Sequence, residues 1–295
     1  MTLLPVRIER NPTMSEQHTL LLQTLTSLHA GSGKTQATLL NSLLRDSDTG
    51  LPQISASTVK GALRKKIRDN FYPELQAQEN WKSAANQDSR LISIFGVKEE
   101  PESAGVEFQS AQLLALALRS AKNIWCLVCS PSTLQAFAQS LGQELPALPV
   151  PEKNQVFCAQ KSPLLLEPNS LVIEDLEFQV KGDWAEGLTW LEKTLPEGSV
   201  RTVMNRMVLV SDPCLKMLAQ SKTEIMDFPG TQKQAQEVEF LPAESILYSP
   251  IKTAEHHPAL KNLSEHCPAY ISLGAYQTLG KGLCAVTLLS PQGEN

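Results

Sequence analysis

This chain has no apolar run approaching the ~20 residues that cross a bilayer, and its first residues carry no secretory h-region. Both absences point to a cytoplasmic protein with no membrane partner. The six cysteines follow no regular spacing, so they read as reduced thiols rather than a disulfide framework. Two common hydrolase signatures, Gly-x-Ser-x-Gly and His-Glu-x-x-His, are missing. Cys126-x-x-Cys129 has no second pair to complete a tetrahedral metal set, and residues three apart in a strand point to opposite faces. His256, His257, His266 and Cys267 cluster without the spacing of a standard zinc site. Positive charge is not in excess either. A net charge of −5 argues against a surface broadly adapted to phosphates.

At 295 residues, with 42% hydrophobic and 19% charged residues, the chain is an ordinary globular one with ample core. Its bases are gathered: Lys60, Arg64, Lys65, Lys66 and Arg68 fall within nine positions, while Glu99, Glu100 and Glu102, and Glu174, Asp175 and Glu177, lie elsewhere. An acidic protein can therefore carry one basic groove. The spacing predicts a helix capped by Ser57, with Val59, Leu63 and Ile67 as its buried face and Lys60, Arg64 and Arg68 as a basic stripe. The small residues Ser55-Ala56-Ser57 before it permit a phosphate to approach the helix N-terminus.

Strands are expected at Thr19 to Leu28, Val106 to Ser110, Asn123 to Cys129, Leu171 to Val180, Val203 to Val210 and Leu283 to Leu289. A helix is expected at Ser132 to Ser140, another is compatible with Thr35 to Arg45, and residues 72 to 105 read as polar and irregular apart from Leu91 to Gly96. Asp46 to Pro52 is a turn cluster and Leu145 to Pro151 a connector. Thr223 to Phe240 reads as an extended loop or hairpin about Pro229-Gly230 that carries Met226 and Phe228. Ser272 to Gly282 holds Gly274, Gly280 and Gly282 around Lys281, a loop that permits close backbone approach to a ligand. Strands mixed with helices without strict alternation favour an α+β fold over a doubly wound sheet.

His29-Ala30-Gly31-Ser32-Gly33-Lys34-Thr35 imitates the phosphate loop of a nucleotidase. That loop needs a glycine five positions before Gly33, where backbone N–H groups curl around one phosphate. Leu28 stands there, and leucine does not take left-handed conformations cheaply. The nucleotidase reading is the weakest of three.

Taken in order, several pieces resemble the CRISPR-associated RAMP proteins, in particular the repeating backbone subunit of the type III-B (Cmr) effector. They are the strand ending His29-Ala30-Gly31-Ser32-Gly33, then Arg45, Thr49 to Pro52, Ser57-x-x-Lys60-Gly61-x-x-Arg64 and Ile94-Phe95-Gly96. Ala104-Gly105-Val106, Leu113-Leu114 through Arg119-Ser120, Ser130-Pro131 with Leu134, Ser211-Asp212, Leu241 to Glu244 and the loop Gly274 to Gly282 continue the series. The resemblance implies a modified ferredoxin-like, RRM-like palm with finger and thumb insertions. It covers residues 14 to 295 as one domain after an extension at 1 to 13. Residues 223 to 240 would be the thumb, with Met226 and Phe228 as its wedge.

The implied partners are a guide RNA, a target RNA, further copies of the chain in a filament and other type III subunits. The implied RNA-binding residues are His29, Gly31, Ser32, Gly33, Arg45, Ser55, Ser57, Lys60, Arg64, Gly274, Gly280, Lys281 and Gly282. RNA binding needs no cofactor; magnesium or manganese enters only if cleavage is retained. The family cuts target RNA with an Asp in a pattern close to Ile-Asp-x-Pro-Ile-x-Arg. Aligned on Arg45, this chain reads Leu39 to Arg45 with Leu40 at the Asp position, and Ser110 stands where the family often has another Asp. Leucine neither binds a metal nor moves a proton. His29, Asn41 and Asp46 are the remaining catalytic candidates. The expectation is a subunit that binds RNA and cuts it slowly or not at all; the alternative is an active endoribonuclease of the same architecture.

Overall fold

The computed structural model describes residues 15–31, 42–71, 80–97, 104–166, 169–196, 204–220, 223–226, 236–254 and 257–290. The expectations for residues 1–13, the Thr35 helix, Ser32, Gly33, Leu40, Asn41 and Phe228 lie outside these residues, as does the side chain of Met226.

In chain order the first half comprises β1 (Ser15–Thr24), β2 (Gln53–Ile54), α1 (Ala56–Asn70), α2 (Trp81–Asn86), α3 (Ser89–Phe95), β3 (Val106–Phe108), β4 (Ala111–Arg119), β5 (Trp125–Cys129) and α4 (Pro131–Ser140). The second comprises β6 (Gln155–Cys158), β7 (Ser170–Ile173), β8 (Leu176–Gly182), α5 (Ala185–Thr194), β9 (Met207–Leu209), α6 (Asp212–Leu218), β10 (Thr223–Met226), β11 (Gln236–Glu239), β12 (Ile246–Ala254), α7 (Pro258–His266), β13 (Tyr270–Ser272) and β14 (Leu283–Leu289).

Six of these elements form the ferredoxin-like unit. The path β1-α1-β4-β12-α7-β14 lays its strands in the order β14-β1-β12-β4, each antiparallel to its neighbour. This is the split β-α-β arrangement repeated. The period-2 alternation of β1 sends Leu20 and Leu22 to one face and Leu21 to the other. On the first face α1 buries Val59, Leu63 and Ile67 completely, each contributing about 2 kcal/mol by area. Leu263 of α7 joins the same cluster. On the second face α4 and α5 cover the sheet, with the Phe137 ring 5.1 Å from Tyr248 and 6.0 Å from Trp190.

The segment between β4 and β12 builds a second part of the sheet, ordered β4-β5-β9-β6-β8-β7, with parallel pairs at β5/β9 and β6/β8. It curls until Ile173, at the end of β7, meets Ser120, just past β4. β10 and β11 form a separate antiparallel hairpin over Thr223–Met226 and Gln236–Glu239.

Several expectations shift. Ser55 caps α1, not Ser57: its extended backbone lets the Thr58 N–H donate to its side-chain oxygen at 3.3 Å and to its carbonyl at 3.0 Å. Among the described residues of the span 72 to 105, Trp81–Asn86 and Ser89–Phe95 are helical; in the latter Leu91, Ile94 and Phe95 recur at helical spacing and Asp88 caps the N-terminus. The single strand expected at Leu171 to Val180 is a hairpin folded at Glu174-Asp175, with Glu174 at φ 54°. The strand expected from Val203 begins at Met207, after a 3-10 turn. The strand expected at Thr19 to Leu28 runs Ser15–Thr24, and the chain bends at Leu25. The six cysteines are free, and Cys126 and Cys129 do point into opposite clusters. Desolvation pushes the Cys126 thiol up to about 12, so it is inert at neutral pH.

Candidate nucleic-acid interface

Single-stranded RNA is read by some ferredoxin-like modules on the open face of the sheet, where aromatic side chains stack on bases. Here that face lies under α4 and α5, with Tyr248 only 1% exposed. Any nucleic acid must use another surface.

The structure offers one at the junction of β1, α1 and the glycine loop. A groove of about 450 Å³ is lined by His29, Ala30 and Gly31, by Leu44, by Ser55, Ser57, Thr58, Gly61, Ala62 and Lys65 of the α1 region, and by Ser272, Gly274, Ala275 and Gln277. Five residues expected to contact RNA meet here: His29, Gly31, Ser55, Ser57 and Gly274. The N-terminus of α1, with its unpaired N–H groups, opens onto the groove and favours an anion.

His29 is fixed tightly. Its Nδ1–H donates to the Glu239 carbonyl at 2.8 Å, which sets the tautomer and leaves Nε2 as an acceptor beside Gly31. A Cβ at Gly31 would lie 2.8 Å from that nitrogen. The His29 ring meets Phe240 and Tyr276 edge-on, at 5.8 and 5.5 Å. Gly274 must be glycine: its φ is 73°, and a Cβ would stand 2.1 Å from the His29 carbonyl oxygen. That close approach lets the Ala275 N–H donate to the same oxygen at 2.9 Å.

Other expected residues are placed differently. Arg45 lies under the groove and donates to the Gly50 and Ala219 carbonyls, both at 3.1 Å, and to the Glu239 carboxylate. Arg64 donates to the Gly96 carbonyl at 3.1 Å. Lys60 flanks the groove without lining it, and burial and the neighbouring Arg64 lower its pKa. Lys281, between Gly280 and Gly282, pairs with Glu224 of β10 and lies 4.8 Å over the Phe240 ring. It ties the base of the hairpin to the glycine loop. Asp46 accepts from the Thr49 and Asp48 N–H groups at 2.8 and 3.1 Å. Those bonds make it the organiser of the Asp46–Gly50 turn.

Sequence reasoning missed two groove-side residues. Lys65 was noted only as part of the charge cluster, yet it lines the groove and has no ion-pair partner among the described residues. Its signal was present: Ser57, Gly61 and Lys65 recur every four positions, a stripe as regular as the one chosen. Glu239 gave none. It is 3% exposed in β11, and its carboxylate takes the Leu43 N–H at 2.8 Å as well as Arg45.

These assignments bear on a divalent ion. Magnesium needs carboxylate oxygens with free lone pairs. Glu239 is committed to the Leu43 N–H and Arg45, the three bonds to Asp46 all fall on its Oδ1, and a leucine side chain offers none. None of the described His, Cys, Asp or Glu side chains gather in threes. No helix among them is long and apolar enough to cross a membrane.

Comparison with known proteins places this geometry. A curated relative, the CRISPR system Cmr endoribonuclease Cmr4 of Pyrococcus furiosus, is 24% identical over 90% of this chain and 94% of its own. The crystal structure of oligomeric Cmr4 from Pyrococcus furiosus superposes with a TM-score of 0.71 at 19% identity, covering 94% of this chain and 99% of that one. A chain of the type III-B Cmr-beta complex bound to cognate target RNA gives 0.64 at 18% identity, over 92% and 96%. The fold is therefore theirs. The RAMP superfamily model matches residues 21–285, which spans the palm, the groove and the hairpin: this chain belongs to the RAMP superfamily.

Proposed function

We propose that this chain is the repeating RNA-binding backbone subunit of a type III-B CRISPR effector, active in the cytoplasm. It holds guide RNA and guide–target duplex and cuts the target weakly or not at all. The groove between Gly31, the α1 N-terminus and Gly274 carries the reading. It is lined largely by small residues and backbone, Lys65 has no ion-pair partner among the described residues, and it borders a helix N-terminus; such a site suits a phosphodiester rather than a base edge. The relatives add context, since one is named for the Cmr system and another was determined with target RNA.

Residues 14 to 295 form one RAMP domain in this reading. The hairpin β10–β11 is its thumb, with Met226 and Phe228 as the wedge that separates bases. Other copies and other type III subunits are the protein partners. Loss of cleavage rests on Leu40, at the position where the family pattern has Asp, and on the Glu239 carboxylate, whose two oxygens are taken by the Leu43 N–H and Arg45.

A second reading, an active endoribonuclease, is favoured by His29, whose Nε2 beside Gly31 is free to accept a proton, and by the relative's name. Magnesium or manganese would be required only there. Expression beside a repeat array tests the shared part of both readings. A discrete class of short RNA copurifying with the chain supports it, and purification free of RNA counts against it.

A further inference from the structure

Four residues of the loop from Ser272 to Gly282 are left-handed, and one of them is not a glycine. Gly274, Gly280 and Gly282 have φ of 73°, 77° and 81°, and Tyr276 has 61°. Glycine takes that conformation freely, whereas for a bulky residue it is strained. The turn holds it there. The Tyr276 carbonyl accepts the Leu279 N–H at 2.9 Å and the Lys281 N–H at 3.3 Å. On one side the Ala275 N–H donates to the His29 carbonyl at 2.9 Å, and on the other the Gln277 amide donates to the Gly274 carbonyl at 3.0 Å. A tyrosine at a left-handed position, in a loop that uses glycine at the others, points to a role for the ring.

That ring does not line the groove. Its neighbours Ala275 and Gln277 do. It lies instead 5.5 Å from the His29 ring and 5.8 Å from Phe240, while His29 and Phe240 are themselves 5.8 Å apart. Three rings from distant parts of the chain thus close a triangle around the imidazole. The Nδ1–H is committed to the Glu239 carbonyl. His29 lines the groove while only 5% exposed, so what it presents there is its remaining edge, with Nε2 beside Gly31. In this tautomer Nε2 is an acceptor. A phosphodiester oxygen has no proton to give it; the ribose 2′-hydroxyl next to the phosphate does.

We propose that Tyr276 is a positioning residue for sugar recognition: with Phe240 it holds the imidazole so that Nε2 accepts a hydrogen bond from a ribose 2′-hydroxyl, and the groove thereby tells RNA from DNA. The inference rests on the reading that the groove holds an RNA backbone and goes beyond it by assigning the contact that selects the sugar.

Binding of the full chain to three strands tests it: oligouridylate, its 2′-deoxy form, and its 2′-fluoro form, which keeps the ribose pucker without the proton. Wild type prefers the ribose strand to both others by about tenfold, the worth of one hydrogen bond. Tyr276→Phe keeps that preference. Tyr276→Asn accepts the left-handed backbone without the ring; it lowers the ribose affinity to the deoxy level and leaves the deoxy affinity unchanged, whereas a folding defect weakens all three. Gly31→Ala, whose methyl would stand 2.8 Å from Nε2, abolishes the preference from the other side. The His29 Nε2 resonance, followed by NMR, moves when the ribose strand is added to wild type and stays in place with Tyr276→Asn. Equal binding of the three strands by wild type, or an undiminished ribose preference in Tyr276→Asn, overturns this contact alone. Failure of wild type to bind any strand overturns the RNA-binding reading as well.

Discussion

Glu239 and Arg45 form an ion pair beneath the groove, with the carboxylate side chain 4% exposed and the guanidinium 27%. The same glutamate receives the Leu43 N–H through its carboxylate and the His29 Nδ1–H through its carbonyl. One residue of the hairpin thereby fixes three points of the chain around the groove. Glu239→Ala strands Arg45 and a buried N–H, and the expected loss is about 3 kcal/mol, read by urea denaturation. Arg45→Lys does not restore it, because an ammonium cannot reach the three acceptors that the guanidinium fork serves.

Gly61 and Gly274 respond oppositely to a methyl group. A Cβ at Gly61 meets nothing within 4 Å, so Gly61→Ala stabilises α1 by about 1 kcal/mol. The same methyl narrows the groove, and RNA affinity falls while the melting point rises. Gly274→Ala collides with the His29 carbonyl and lowers both, the stability by about 2 kcal/mol. Thermal melts paired with binding of a single-stranded RNA separate the two cases.

Lys65 and Arg64, adjacent on α1, divide binding from stability. Lys65→Ala weakens binding of all RNA sequences alike and reduces the slope of log affinity against log salt by about 1. Arg64→Ala loses its donor to Gly96 and destabilises the chain, with the salt slope unchanged.

Asp46 supplies a pH test. Hydrogen bonds from Thr49, against the opposing effect of burial, hold its pKa below the ordinary aspartate value. A depressed carboxylate pKa stabilises the folded chain above the unfolded value, and the contribution fades as pH falls through the folded one. Asp46→Ala is therefore less stable than wild type at neutral pH, and the two converge as acid protonates the carboxylate. Denaturation midpoints measured from pH 7 downward show the gap closing.

The palm was legible where local pattern and burial agree. Val59, Leu63 and Ile67 marked α1, and Ser132 to Ser140 marked most of α4. β12 was missed, partly because Pro250 argues against a strand. The structure tolerates it where the partner of β12 passes from β4 to β3, and the Gln109 N–H donates to the Pro250 carbonyl at 3.0 Å. Groove membership was half legible. Gly31 and Gly274 announced close approach through composition. For Arg45 and Lys281, both expected to contact RNA, a sequence does not show Glu239 and Glu224 arriving from far along the chain to pair with them.

The most direct test of RNA binding without cutting uses labelled target RNA. It is incubated with the guide-loaded complex and magnesium or manganese, then run on native and denaturing gels. The expected result is a shifted band on the first and full-length target on the second, with Leu40→Asp restoring fragments. Regularly spaced fragments from the wild-type chain, or no shift at all, would contradict it.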